Sequence, residues 1–110
     1  MKLIIITLLL SISTITTLSA NGNEKVQKKI NFGQKIFRKK LQRSCGYTAS
    51  YWAQQHTEEE WSDLQESGTF KNELATMCPK SIKVVKDTWM ESLYLFAHEY
   101  AKDTGKHPRC

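Results

Sequence analysis

Apolar residues recur at helical spacing through most of the chain after its first twenty residues, and this periodicity is what most limits the folds open to it. The pattern is clearest near the carboxyl end, where one helical face carries Trp89, Leu93, Phe96 and Tyr100. The one strand-like run, residues 82–85, is too short to form a sheet alone. The sequence therefore predicts an all-α fold, a small single domain of four to five short helices.

The first predicted helix is basic and amphipathic, and a break is expected after it at Cys45-Gly46. The face toward the core carries Ile30, Gly33, Phe37 and Leu41. Lysines and arginines fill the other face. The second aromatic residue among these charges, Phe32, is also expected on a core-facing side.

Caps and breaks mark the later helices. Thr57 followed three residues later by Glu60 forms a capping box, which explains the acidic run 58–60 without paired catalytic carboxylates. That helix should stop at Ser67-Gly68. The other expected helices are Tyr47–Gln55 with Ala49, Trp52 and Ala53 inward, one from Phe70 to Cys78-Pro79, and a last one from Trp89 to Gly105.

Residues 1–20 have the layout of a secretory signal peptide, which leaves 21–110 as the helical domain. Lys2 gives a positive start, Leu3 to Leu10 an apolar core, and a Ser/Thr stretch leads to a cleavage position after Ala20. The apolar part is shorter than the roughly 20 residues of a membrane-spanning helix. We therefore expect an exported protein, which would be periplasmic in a bacterium with two membranes and otherwise secreted.

Three cysteines follow the predicted signal peptide, and all three are disulfide candidates: Cys45, Cys78 and Cys110. Disulfides persist in exported proteins, and an odd number permits one intramolecular bridge with one thiol left over. Bridging Cys45 to Cys78 would stabilise the domain by roughly 4 kcal/mol in the chain-entropy estimate. The sequence leaves the pairing open.

Positive charge is concentrated before Gly46. Residues 21–45 contain one acid, Glu24, against eight basic residues: Lys25, Lys28, Lys29, Lys35, Arg38, Lys39, Lys40 and Arg43. From Gly46 onward seven basic residues meet ten acidic ones. This asymmetry favours an acidic protein or an anionic membrane surface as the partner. Nucleic acid is not expected, because the protein is expected to be exported and the basic segment offers little for bases to stack on.

The segment GQKIFRKKLQRSCG, from Gly33 to Gly46, resembles the haem-attachment segment of the small class I cytochromes c. The matching positions are Gly33, Ile36, Phe37 and Gly46. The haem-holding positions differ, because LQRSCG stands in place of CxxCHG. Leu41 and Ser44 replace the two thioether cysteines, and Cys45 replaces the proximal histidine.

The resemblance implies a cytochrome c-like fold whose first and last helices cross. Gly33 and Phe37 would then meet a group on the last helix made up of Leu93, Tyr94 and Ala97. It also implies that haem cannot be attached in the usual way. We therefore expect a haem-free binding or accessory module that is not an enzyme and has no catalytic residues. The alternative is an electron-transfer protein that holds haem by a non-standard arrangement, with Cys45 and Met77 as ligands.

Two further kinds of site find little support in the sequence. A cysteine nucleophile, Cys45 or Cys110 with His56 as base, lacks any oxyanion-hole signature. The spacing His107-x-x-Cys110 occurs in zinc sites, but no paired set of further ligands accompanies it. No metal site is expected.

Overall fold

The computed structural model describes the backbone of residues 17–108 and the side chains of residues 23–108. The predicted signal peptide therefore lies outside the described residues except for the backbone of 17–20, and Cys110 lies outside them as well. In the part of the chain that is described, no helix is long and apolar enough to cross a membrane.

The described chain is all-α, as predicted. Helix α1, Thr17–Ile36, runs through a π-helical turn, Phe37–Leu41, into helix α2, Gln42–Cys45. The later elements are α3, Ala49–Ala53; α4, Glu58–Glu66; α5, Phe70–Met77; two 3₁₀ turns, Ile82–Val84 and Asp87–Trp89; and α6, Met90–Glu99. With α1, the π turn and α2 taken as one continuous helix, the described residues form five helices.

Local signals fix most of the helix ends where the sequence places them. Gly46 has a φ of 86° and ends α2 in the left-handed conformation that favours glycine. At the start of α4, the Thr57 hydroxyl accepts the Glu60 N–H at 3.1 Å, and the Glu60 carboxylate accepts the Thr57 N–H at 2.9 Å. The predicted capping box is confirmed.

The last helix ends six residues earlier than predicted, at Glu99 instead of Gly105. The Lys102 N–H donates to the carbonyl of His56 at 3.1 Å, so this amide is taken by another segment and is not available to continue α6. The Thr104 hydroxyl then donates to the Ala101 carbonyl at 2.9 Å and stabilises a turn. Tertiary contacts therefore end this helix before its glycine.

Aromatic rings form the centre of the core. The fully buried Trp52 is surrounded by four rings, whose centroids lie 4.8 Å (Phe37), 5.3 Å (Trp61), 6.2 Å (Phe70) and 6.4 Å (Phe96) away. Rings at these distances are in direct contact. The inward residues predicted for α3 are confirmed, since Ala49, Trp52 and Ala53 are all buried.

Helices α1 and α6 pack against each other, and Gly33 lies in their contact. A Cβ atom on Gly33 would lie 2.2 Å from the carbonyl oxygen of Ser92 and 3.0 Å from the Cβ of Phe96. A side chain at Gly33 would thus overlap the backbone of α6. The contact lies one residue before Leu93 and Ala97, two of the expected partners on the last helix.

The two buried tryptophans at the core differ in hydrogen bonding, which leads to a testable difference. Trp61 Nε1–H donates to the Ala53 carbonyl at 2.8 Å, whereas Trp52 Nε1 is buried without a partner among the described residues. Replacing Trp61 by Phe removes ring volume and also leaves the Ala53 carbonyl unsatisfied. Replacing Trp52 by Phe removes similar volume together with an unsatisfied donor.

We therefore expect Trp61→Phe to destabilise the protein by about 1 to 3 kcal/mol more than Trp52→Phe. Urea denaturation followed by far-ultraviolet circular dichroism measures both free energies of unfolding, since helical signal does not depend on the tryptophan removed. Equal losses, or a larger loss for Trp52→Phe, would show that ring packing outweighs the hydrogen bond.

Candidate functional site

Five basic side chains cluster where α1, the π turn and α2 join. This basic face consists of Lys35, Arg38, Lys39, Lys40 and Arg43, and all five residues are exposed. On the opposite side of the same turn, Phe37 and Leu41 are fully buried. The core therefore holds the helix in an orientation that directs the cationic groups outward.

The basic face carries uncompensated charge. In the described part of the chain, none of its five side chains forms an ion pair with a carboxylate. The lysine ion pairs that do form lie elsewhere and join Lys29 to Glu91, Lys71 to Asp87, and Lys106 to Glu99. Five positive charges within nine residues thus face solvent without a neutralising partner.

The remaining predicted partner residues lie in the middle of α1. Lys25, Lys28 and Lys29 are exposed, and Lys29 is paired with Glu91 at 3.1 Å. The prediction for Phe32 was wrong, because 46% of this residue is exposed. Ile30, Gly33, Ile36 and Phe37 already occupy the inward side of the helix, which leaves Phe32 on the outer side.

Open grooves border the basic face, and Arg38 lines four of them. The largest, of about 430 Å³, is lined by Arg38, Gln42, Arg43, Gly46, Tyr47 and Thr48. A second, of about 390 Å³, is lined by Arg38, Lys39, Lys40, Arg43 and Ser44. The surface at the basic face is therefore grooved. Arg38 and Arg43 line each of these two grooves.

Two tyrosines extend the largest groove. The rings of Tyr47 and Tyr51 stack with centroids 5.1 Å apart, and 53% of Tyr51 is exposed. With Gly46 and Thr48 they line an adjoining groove of about 320 Å³. Sequence reasoning missed this pair. Tyr51 lies in α3 and Tyr47 lies just before it. The available signal was their spacing of four residues, which would bring the two rings together in the helix predicted from Tyr47 to Gln55.

The disulfide joins Cys45 to Cys78 and so links the end of α2 to the residue after α5. Hydrogen bonds of Ser81 lie beside the disulfide. The fully buried Ser81 donates its hydroxyl to the Leu41 carbonyl at 3.2 Å and also hydrogen-bonds the Ser44 hydroxyl. Sequence reasoning missed Ser81, which lies between a proline and the strand-like run. These contacts hold α2 in place under the basic face.

The described residues do not fit a haem site in this disulfide-bonded form. The Cys45 sulfur is bonded to Cys78, so it has no thiolate to offer a metal. Met77 is half-buried and packs against the core. Trp52 is in direct contact with the rings around it, which leaves no space for a macrocycle between Trp52 and these rings. Ligation by Cys45 and Met77 stays a prediction for a reduced and rearranged protein.

A separate group of histidines and acids lies near the start of α4. His56 contacts Glu60 at 3.4 Å and Glu73 at 2.8 Å. The backbone N–H of Thr57, and to a lesser extent His56, lowers the pKa of Glu60 below its usual value. Among the described residues, no group of three or more histidines, cysteines and acids could hold a metal ion. We read these contacts as links between α4 and α5.

Compared with models of known protein families, with curated proteins and with solved structures, this chain has no match. What the protein binds therefore has to follow from the chemistry of its own surface. On that surface the basic face is the strongest feature, since it combines unpaired charge, concave shape and neighbouring exposed aromatic rings.

Proposed function

We propose that this protein is an exported, haem-free binding module that docks to an acidic protein partner through its basic face. The observation that carries the proposal is the set of five exposed basic side chains within nine residues, none of them paired with a carboxylate in the described chain. Uncompensated charge of this kind speeds encounter with an oppositely charged partner and penalises the wrong ones.

The shape and composition of the face favour a protein over an anionic membrane. A helix that lies on a membrane inserts apolar side chains next to its basic ones. Within the basic face, Phe37 and Leu41 are fully buried in the core and cannot insert, and the exposed apolar side chains of α1, Val26 and Phe32, precede this face. The face is also furrowed by grooves that arginines line, and arginine forks suit the planar carboxylates of Asp and Glu.

The proposed scaffold is a cytochrome c-like fold that works without haem. Its support is the resemblance around Gly33 and Phe37 together with the close approach of α1 to α6 at Gly33. The electron-transfer alternative has less support, because it requires the Cys45–Cys78 bond to open and the rings around Trp52 to move apart.

Binding to an acidic probe tests the docking proposal. The exported protein is titrated into a fluorescein-labelled oligoglutamate peptide at low ionic strength, and fluorescence anisotropy gives the affinity. We expect the variant R38E/K39E/R43E to weaken binding about tenfold or more. The matched control K80E/K83E/K86E changes the net charge equally at exposed lysines outside the described grooves, and we expect it to weaken binding less than threefold.

Equal losses in the two variants would contradict a localised face, and no binding by the unmodified protein would overturn the proposal. Vesicles containing phosphatidylglycerol serve as the competing surface. Binding to vesicles but not to oligoglutamate would identify a membrane surface instead of an acidic protein. The absorbance spectrum of protein made with a haem c maturation system should have no Soret band, and a stoichiometric band would favour the electron-transfer alternative.

A further inference from the structure

We infer that the partner is held at one specific place, an Arg–Tyr groove made of two adjoining grooves that share Tyr47. Arg38 and Arg43 line the groove of about 430 Å³, and Tyr51 lines the adjoining groove of about 320 Å³. The occupant is an extended acidic peptide segment of the partner protein, with an Asp or Glu carboxylate between the two guanidinium groups and an apolar side chain against the tyrosine rings. This inference rests on the proposed function and assigns its specificity to four named residues.

The π-helical turn explains why two arginines five residues apart can act together. In a regular α-helix, residues at i and i+5 point about 140° apart. In the turn Phe37–Leu41 the N–H of Gln42 donates to the carbonyl of Phe37, which is an i to i+5 bond. This wider turn brings residues five apart toward the same side, and both Arg38 and Arg43 line the 430 Å³ groove. Single π turns occur often at functional sites.

The groove is lined by arginine and tyrosine, which are residue types that often contribute most of the binding energy at protein interfaces. Arginine binds a carboxylate through two parallel N–H groups, whereas lysine acts as a point charge. The lysines of the turn, Lys39 and Lys40, line a neighbouring groove and not the largest one. Tyrosine and arginine are the residues that most often dominate binding energy at interfaces, together with tryptophan. Tyr51 is more than half exposed in the free protein and so is available for contact.

The groove is held in shape before any partner arrives. Gly46, with its φ of 86°, turns the chain so that Tyr47 follows directly on α2 and lines the same groove as Arg43. The disulfide at Cys45 and the hydrogen bond from Ser81 to Leu41 fasten this helix end from beneath. A binding site that is already ordered loses less conformational entropy when it binds.

Charge-neutral variants test the groove apart from the net charge. The probes are two labelled peptides of equal charge, oligoglutamate and a peptide in which Glu alternates with Leu. R38K/R43K keeps every charge and loses the arginine forks, and we expect it to weaken binding of the Glu-Leu peptide about tenfold. The control K80R/K83R, also charge-neutral and at exposed lysines outside the described grooves, should change the affinity less than threefold. Tyr51→Ala should weaken binding of the Glu-Leu peptide more than that of oligoglutamate.

The outcomes separate the groove from the wider proposal. If R38K/R43K binds like the unmodified protein while R38E/K39E/R43E does not, the basic face stands and the Arg–Tyr groove is overturned. If R38E/K39E/R43E also keeps its affinity, both are overturned. If Tyr51→Ala weakens binding of the two peptides equally, the tyrosine rings do not contact an apolar side chain of the peptide. Urea midpoints within error of the unmodified protein establish that each variant is folded.

Discussion

Replacing Cys45 and Cys78 together by alanine is expected to lower the free energy of unfolding by about 4 kcal/mol. The bridge joins residues 33 apart in sequence, so the unfolded chain gains considerable conformational freedom when it is lost. For a domain of this size, whose total stability is of order 5 to 15 kcal/mol, that is a large fraction. Urea denaturation measures the change, with alanine chosen because Cys78 is fully buried and serine would place a hydroxyl there.

A reductant provides an independent check on the same bond. It should destabilise the unmodified protein by about the same 4 kcal/mol and leave C45A/C78A unchanged. The matched control is Cys110→Ala, which lies outside the described residues and outside this pair and should keep full stability. A loss below 1 kcal/mol in the double variant, or an equal loss in the control, would contradict the assigned pairing.

The disulfide also lies next to the proposed binding site. It fastens the end of α2, whose outer side carries Arg43, to the residue that follows α5. Without the bond, the hydrogen bonds of Ser81 with the Leu41 carbonyl and the Ser44 hydroxyl remain to hold this helix end. The proposed Arg–Tyr groove therefore lies next to a helix end that a covalent bond holds, and a site that is already ordered loses less conformational entropy on binding.

The local fold could be predicted from the sequence because its signals are local. The capping box of Thr57 and Glu60, the break at Gly46 and the periodic burial of Phe37 and Leu41 each depend on residues a few positions apart. The end of α6 could not be predicted, because the amide of Lys102 is taken by a carbonyl more than forty residues away. Helix ends follow the sequence only where no distant group competes for the backbone.

The candidate site was predicted in part for a similar reason. The basic residues of the first helix are visible as composition, and their exposure follows from the apolar face opposite them. The π turn has no known local signature here, so the sequence could not place Arg38 and Arg43 on one side. The pairing of Cys45 with Cys78 and the burial of Ser81 depend on how α5 folds back against α2, which no local pattern specifies.

Gly33→Ala is expected to destabilise the protein by about 3 kcal/mol or more, although glycine to alanine ordinarily favours a helix. The added Cβ would lie 2.2 Å from the carbonyl oxygen of Ser92, which is backbone and cannot rotate away. Relief therefore requires the backbones of α1 and α6 to move apart at this contact. The rings of Phe37 and Phe96, which pack through Trp52 behind this crossing, would lose contact as the helices separate.

Gly68→Ala is the matched control for this substitution. A Cβ on Gly68 would meet nothing within 4 Å, but its φ of 77° makes alanine strained, at a cost of about 1 to 2 kcal/mol. Urea denaturation measures the free energy of unfolding of both variants. It thereby compares the steric overlap in Gly33→Ala with the backbone strain in Gly68→Ala. A Gly33→Ala protein as stable as the unmodified one would mean that the helices do not cross at Gly33. If the Gly33→Ala protein does not fold at all, its loss in free energy of unfolding exceeds the total stability of the domain. In that case α1 and α6 can no longer pack against each other.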